Sequence, residues 1–257
     1  MKIYSVLQIG EYHINHCEDF LITKKIGSNK ILCAVMDGCS TAMESQFASA
    51  LFGKILRKIS IEKGYEELYE TSHVDSLEDE LKAVLKELFK EIIVLKNHLM
   101  LDEKELLTTV ILLLYDMKTD KGIILSIGDG LICIDGKITE FERDNKPDYL
   151  AYHLKENFDD WYNNQTQKIF FNQMKNVSIA TDGISSFTAV KKTSHNEKID
   201  PINYLLIDTD NIDSEEMLSQ KLKKLEHYYG LKPTDDLAVI RINKYIIGTI
   251  TARTVGK

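Results

Sequence analysis

The sequence predicts an α+β fold in which antiparallel sheets are layered and covered by helices. Three observations carry this reading. Short β-branched and apolar runs occur in clusters, and stretches with helical apolar spacing lie between the clusters. Turn signals at Gly128–Gly130 and Asp135–Gly136 join neighbouring strands closely, which favours antiparallel pairing over a βαβ array. With 257 residues, 44% of them hydrophobic, and only three prolines, the chain is long enough to close one large core. No Pro/Gly/Ser-rich stretch divides it, so a single domain over 1–257 is expected.

In chain order, strands are predicted at Ile3–Leu7, Phe20–Lys24 and Lys30–Met36. Helical spacing follows at Phe47, Leu51, Ile55 and Ile59. It returns more clearly at Leu77, Leu81, Val84, Leu88, Ile92 and Leu95, where Ser76 and Asp79 resemble a capping box. Strands return at Thr109–Tyr115, Gly122–Ile127, Leu131–Ile134 and Val177–Thr181. A third helix follows Asp213, with Glu216 three residues on and Leu218, Leu222 and Leu225 as its apolar stripe. Gly230 and Pro233 supply its stop. The last predicted strands are Leu237–Ile242 and Ile246–Ile250.

Charge and cysteine usage exclude several classes. Forty acids against 32 bases give a net charge of -8, which disfavours nucleic acid as a partner and suits an acidic cytoplasmic protein. Cys17, Cys33, Cys39 and Cys133 show no CxxC spacing, and Cys33 and Cys133 lie in apolar runs, so buried thiols in a reducing compartment are expected rather than disulfides or zinc. Nowhere do 18 apolar residues run together, so no membrane span is expected. The absence of a GxxxxGK[ST] or GxGxxG stretch argues against a kinase or nucleotide switch.

The specific signal is a set of acids at strand ends. Four places join an apolar run to carboxylates: Glu18-Asp19 before "FLI", Asp37-Gly38 after "LCAVM", Asp182-Gly183 after "VSIAT", and Asp235-Asp236 before "LAVIRI". Any single Asp-Gly is commonly just a turn. Several converging carboxylates, however, are costly to bury without basic partners or metal ions, and no Lys or Arg adjoins them. Oxygen-only ligands suit Mg²⁺ or Mn²⁺, and glycine after Asp37 lets a backbone carbonyl approach an ion.

In this order the motifs resemble the metal-dependent protein phosphatases, the type 2C family of serine/threonine phosphatases with its bacterial sporulation and stress-response relatives. "NHCEDF" resembles the opening Glu-Asp motif, "AVMDGCST" the first Asp-Gly and "LLTTVILLL" the Thr-Thr strand. "LSIGDGLICI" resembles the Gly-Asp hairpin, "SIATDGISSF" the second Asp-Gly and "TDDLAVIRI" the closing Asp-Asn strand. The resemblance implies a four-layer α-β-β-α sandwich of two antiparallel sheets, with two Mn²⁺ or Mg²⁺ ions in a cleft at one end. It implies hydrolysis of phosphoserine or phosphothreonine in a phosphoprotein by a water shared between the ions. By resemblance Asp37 bridges both ions, Gly38 and Glu18 complete one site, Asp182 and Asp235 complete the other, and Asp19 holds metal-bound water. A catalytically weak binding module of the same fold and a small-molecule phosphomonoesterase are the alternatives.

The chain departs from the family pattern at several positions. Ile14 stands where many members have a phosphate-gripping arginine. The flanking His13 and His16 are candidate substrate contacts, although each also reads as an ordinary surface or core histidine. Cys39 replaces a histidine that often follows the first Asp-Gly, and Asp236 replaces the usual asparagine. Asp102, Glu103 and Glu105 lie in the region where many bacterial members have a third metal ligand, but without clean alignment, and read rather as a solvated acidic loop. The segment Phe141–Phe171, with Trp161, has the polar and aromatic character of a variable flap over the cleft.

Overall fold

A computed structural model describes residues 1–69, 76–141, 147–191 and 198–244; the predicted strand Ile246–Ile250 lies outside the described residues. Two five-stranded antiparallel sheets face each other. One is ordered β1 (Lys2–Gln8), β12 (Leu237–Asn243), β9 (Asn176–Ala180), β6 (Gly130–Ile134) and β7 (Lys137–Phe141). The other is ordered β2 (Phe20–Ile26), β3 (Lys30–Met36), β4 (Val110–Asp116), β5 (Lys121–Ile127) and β8 (Lys168–Asn172). A short pair, β10 (Phe187–Ala189) with β11 (Leu231–Pro233), stands apart. Helices α1 (Ser45–Tyr69) and α2 (Leu77–Leu99) cover the second sheet, α3 (Phe158–Asn163) packs beside them, and α4 (Pro201–Leu206) and α5 (Met217–His227) cover the first. The architecture is the expected α-β-β-α sandwich.

Alternation along the central strands builds the layers. In β3, Leu32, Ala34 and Met36 pack toward α1 and α2, whereas Ile31, Cys33 and Val35 enter the core between the sheets. In β12, Leu237 and Val239 pack toward α4 and α5, whereas Ala238, Ile240 and Ile242 face the intersheet core. Burial on both faces makes these strands read as continuous apolar runs. Ser76 caps α2: its side chain accepts the Asp79 N–H at 3.1 Å and donates to Asp79 Oδ2 at 2.6 Å.

Three sequence expectations are corrected. Gly128–Gly130 does not close a hairpin, because β5 and β6 lie in different sheets and the turn carries the chain from one to the other. The third helix begins at Met217 rather than directly after Asp213, since the intervening residues form turns. Much of the Phe141–Phe171 segment is structural: Lys168–Asn172 is an edge strand, and Trp161 is buried with its ring centroid 4.7 Å from that of Phe89 on α2. Among its described residues, Phe141, Asp148, Tyr149 and Tyr152 approach the cleft. No helix among the described residues is long and apolar enough to cross a membrane.

Candidate metal centre

The acidic motifs meet at one end of the sandwich because the strands that carry them end there. As the chain leaves β3, the Asp37 carbonyl accepts the Thr109 N–H at 2.8 Å and the Thr108 hydroxyl at 2.7 Å. The Thr-Thr pair thus fixes the backbone on which Asp37 is carried. The Gly38 N–H donates to the Glu18 carbonyl at 3.2 Å, and the same carbonyl accepts the Ser49 hydroxyl of α1. A Cβ on Gly38 would stand 2.0 Å from the Ser45 carbonyl oxygen, and one on Gly183 would stand 1.8 Å from the Asp236 carbonyl oxygen. Both Asp-Gly glycines therefore serve close backbone approach.

The carboxylates are electrostatically coupled. Asp19 is 3% exposed; its Oδ2 accepts the Thr181 hydroxyl at 2.6 Å, and its buried Oδ1 has no hydrogen-bond partner. Burial, opposed by the Thr181 hydroxyl and the neighbouring Asp37 carboxyl and reinforced by the charges of Asp236 and Asp182, pushes Asp19 up to about 8. Burial and then the charges of Asp19, Asp182 and Asp235 hold Asp37 well above the usual carboxylate range. Asp182 opens the 3₁₀ turn Asp182–Ser185 and is exposed to solvent. Crowding by the surrounding chain, with Asp235 and Asp129, still pushes it up to about 6. Among the described residues no Lys or Arg forms an ion pair with Asp19, Asp37, Asp182 or Asp235.

This donor set fits a hard divalent cation: it is all oxygen, mutually repulsive, and includes an orphaned buried carboxylate oxygen. The grip is not preformed, since among the described residues no three His, Cys, Asp or Glu side chains are gathered closely enough to hold an ion as placed. Glu18 is half-buried and Asp235 exposed; Asp235 Oδ1 accepts the Asp236 N–H at 2.9 Å. His13 is brought to the cleft, with Nδ1 2.9 Å from Asp236 and Nε2 3.7 Å from Asp235. Burial works against its protonation, but Asp236, Glu18 and Asp235 outweigh it and hold His13 above the ordinary histidine range. His16 is exposed, and Ile14 is 89% exposed. Asp102 and Glu105 form a capping box around the turn Glu103–Leu106, with the Asp102 N–H donating to Glu105 Oε2 at 2.7 Å. Burial raises the Cys39 thiol, but hydrogen bonds with Thr41 and Tyr149 leave it below its ordinary value.

Asp236 has a role that sequence reasoning missed. It is 2% exposed, accepts the Gly10 N–H at 2.7 Å through Oδ1, and accepts the Glu18 N–H through Oδ2. Both of its oxygens are thus engaged by backbone N–H groups away from solvent; it positions Glu18 and places a carboxylate 2.9 Å from His13 Nδ1. Asp236→Asn leaves one of the two N–H groups facing an amide donor. Expected are a loss of roughly 1–3 kcal/mol in denaturant unfolding and a fall of the His13 pKa toward its ordinary value, read by NMR titration. Unchanged stability and an unchanged His13 would count against this role.

The comparisons with known proteins agree with the geometry. No curated protein sequence matches the chain. Among solved structures, the phosphatase domain of Bacillus subtilis SpoIIE with a fragment of its regulatory domain superposes with a TM-score of 0.55 at 15% identity, covering 94% of this chain and 62% of that one. This chain thus spans less than two thirds of that SpoIIE chain. The protein phosphatase 2C domain of SiaA from Pseudomonas aeruginosa gives 0.59 at 13% identity, with coverages of 95% and 86%. RsbX in complex with magnesium gives 0.51 at 14% identity, with coverages of 93% and 92%. At these identities the superpositions speak for the fold alone. The family profile for protein phosphatase 2C matches residues 9–225, which takes in Glu18, Asp19, Asp37, Gly38 and Asp182, and the structure adds Asp235 beside Asp182 from beyond that range. On the strength of that match and the shared sandwich, the chain belongs to the protein phosphatase 2C family.

Proposed function

We propose that the protein is a serine/threonine phosphatase that acts on phosphoproteins with two divalent cations, Mn²⁺ or Mg²⁺, held at the cleft. The observation that supports this most is the gathering of mutually repelling carboxylates at Asp19, Asp37 and Asp182, which have no Lys or Arg ion-pair partner among the described residues. Glu18, Asp37 and the Gly38 carbonyl would hold one ion, and Asp37, Asp182 and Asp235 the other. Bound there, the pair supplies a water of lowered pKa and a clamp on the phosphoryl oxygens for in-line attack without a covalent phosphoenzyme. Asp19, fixed through Oδ2 by Thr181, orients the attacking water through Oδ1. Asp236 keeps Glu18 and His13 in place, and the His13 ring, followed by the exposed His16, meets the substrate phosphate that Ile14 cannot grip.

A Mn²⁺ titration with p-nitrophenyl phosphate and a phosphothreonine peptide tests this reading. Both substrates are expected to turn over, and chelation is expected to abolish turnover. Activity that survives exhaustive EDTA treatment would remove the two-metal reading, and turnover of p-nitrophenyl phosphate alone would favour a small phosphoester. A stability readout accompanies it. Asp19 stands at about 8 in the folded protein against 3.8 as its ordinary value, so between these values the folded state binds more protons than the unfolded. Stability of the cation-free protein should therefore fall as pH rises from 5 to 8. Mn²⁺ at about 100 times its Kd should restore roughly 2.7 kcal/mol at pH 8. Equal melting temperatures at the two pH values, with no response to Mn²⁺, would contradict it.

A further inference from the structure

The loops that carry Glu18 and Asp37 also hold large apolar side chains in solvent. Tyr12 is 76% exposed, Ile14 89% and Met43 84%, and Tyr152, at 47%, stands within electrostatic reach of Cys39. Single exposed apolar residues are ordinary, but several around one cleft mark an interaction surface. Their placement ties them to the site. The Tyr12 N–H donates to the Thr234 carbonyl at 3.1 Å, next to Asp235, and Met43 lies two residues before Ser45, whose carbonyl crowds Gly38.

Charge identifies the kind of partner. No residue of 9–19, 37–44 or 147–153 is Lys or Arg, although Arg143 and Lys146 precede the last of these stretches in sequence, and Glu11, Glu44 and Asp148 lie within them. Lys232, which approaches from β11, is engaged by Glu11. A recess of about 420 Å³ is lined by Asp182 and Asp235 themselves, with Leu131 and Phe141 as apolar walls, Ser185 and Ser186 as neutral polar ones, and Asp129 and Glu140 as the acids away from the ion ligands. Apolar and carboxylate side chains sharing one recess suit a long aliphatic stem that ends in a cation. A second copy of this acidic chain, or an anionic lipid surface, would meet repulsion at the same face.

We propose that the cleft mouth docks a phosphoprotein segment in which apolar side chains and Lys or Arg flank the phosphorylated residue. The apolar residues cover Tyr12, Ile14, Met43 and Tyr152, and one basic side chain enters the recess toward Glu140. This rests on the phosphatase reading above. Substrate choice then comes from the flanks, since Ile14 offers the phosphate no guanidinium.

The test uses the full chain with Mn²⁺ and three phosphothreonine peptides of equal length, flanked by Leu and Arg, by Leu and Glu, or by Ser and Gly. Each kcat/KM is divided by that for p-nitrophenyl phosphate, and fluorescence anisotropy of labelled peptides gives Kd independently of turnover. The Leu/Arg peptide is expected to exceed the Leu/Glu peptide by about tenfold or more. Met43→Ser, which removes the apolar contact without adding charge, should lower the Leu/Arg ratio about fivefold. Glu140→Lys should shift preference toward the Leu/Glu peptide, which a merely structural role would not do. Equal or reversed peptide preference in the parent protein, or ratios unmoved by both variants, would overturn the proposal. Absence of p-nitrophenyl phosphate turnover would instead refute the phosphatase reading, and the anisotropy ranking of the peptides would still decide the docking surface.

Discussion

Asp37→Asn is expected to lower turnover about a hundredfold or more, to weaken binding of both cations, and to stabilise the cation-free protein. The opposite signs come from one cause. Burial and the charges of Asp19, Asp182 and Asp235 hold the Asp37 carboxyl well above its ordinary range, so its ionised form is a liability to the empty fold. An amide removes that repulsion, and with it the negative charge that two cations would share. At pH 8 the cation-free variant should melt above the parent, while the rise in melting temperature on adding Mn²⁺ should vanish. Asp235→Asn should chiefly weaken one site, because Asp235 is exposed and is expected to touch one ion. Were Asp37 only a turn residue, Asn would replace it with little effect on either property. Calorimetric Mn²⁺ titration and thermal melts of both variants separate the cases. A folded Asp37→Asn protein with two normal Mn²⁺ sites and parental turnover would refute the bridging role.

What the sequence made legible follows from burial. β3, β4 and β12 were readable nearly to the residue because both faces are buried and the apolar runs are unbroken. The edge strands β7 and β8 carry Lys137, Glu140, Lys168 and Asn172, and β10, β11, α3 and α4 are too short for a period to emerge. In the site, the motif acids announced themselves by interrupting strands. The role of Asp236 was not readable, because the backbone groups it holds, at Gly10 and Glu18, are 226 and 218 residues away in sequence. Asp129 was hidden in the opposite way: its Gly-Asp-Gly setting reads as a hairpin, whereas the chain there changes sheets and brings Asp129 beside Asp182.

Arg241→Met is expected to cost about 3–5 kcal/mol, or a fall of roughly 10 °C in melting temperature for a chain of this size. The effect arises in the layer that supports β12. Arg241 is 1% exposed and faces the carbonyl-rich end of α4: Nη1 donates to the Leu205 and Asp208 carbonyls at 3.0 and 2.8 Å, and Nη2 to the Ile207 carbonyl at 2.9 Å. Nε donates to Asn176 Oδ1 at 2.7 Å, tying β12 to β9. The fully buried Lys221 of α5 takes the Tyr204 and Asp208 carbonyls and the Asp208 carboxylate, each at 2.7 Å. Burial lowers the pKa of both cations, so desolvation opposes them, and it is the helix-end carbonyls and Asp208 that keep them charged. Methionine fills similar volume but leaves buried carbonyls without donors, which is the costly half of breaking such a network. Arg241→Lys should recover little, because one ammonium cannot span Asn176 and three carbonyls. Since Arg241 lies along β12 away from Asp235, turnover by the folded fraction at 25 °C should stay within about twofold while stability falls. A melting temperature within about 2 °C of the parent would show that the α4 carbonyls find other partners and that this network does not hold the layer.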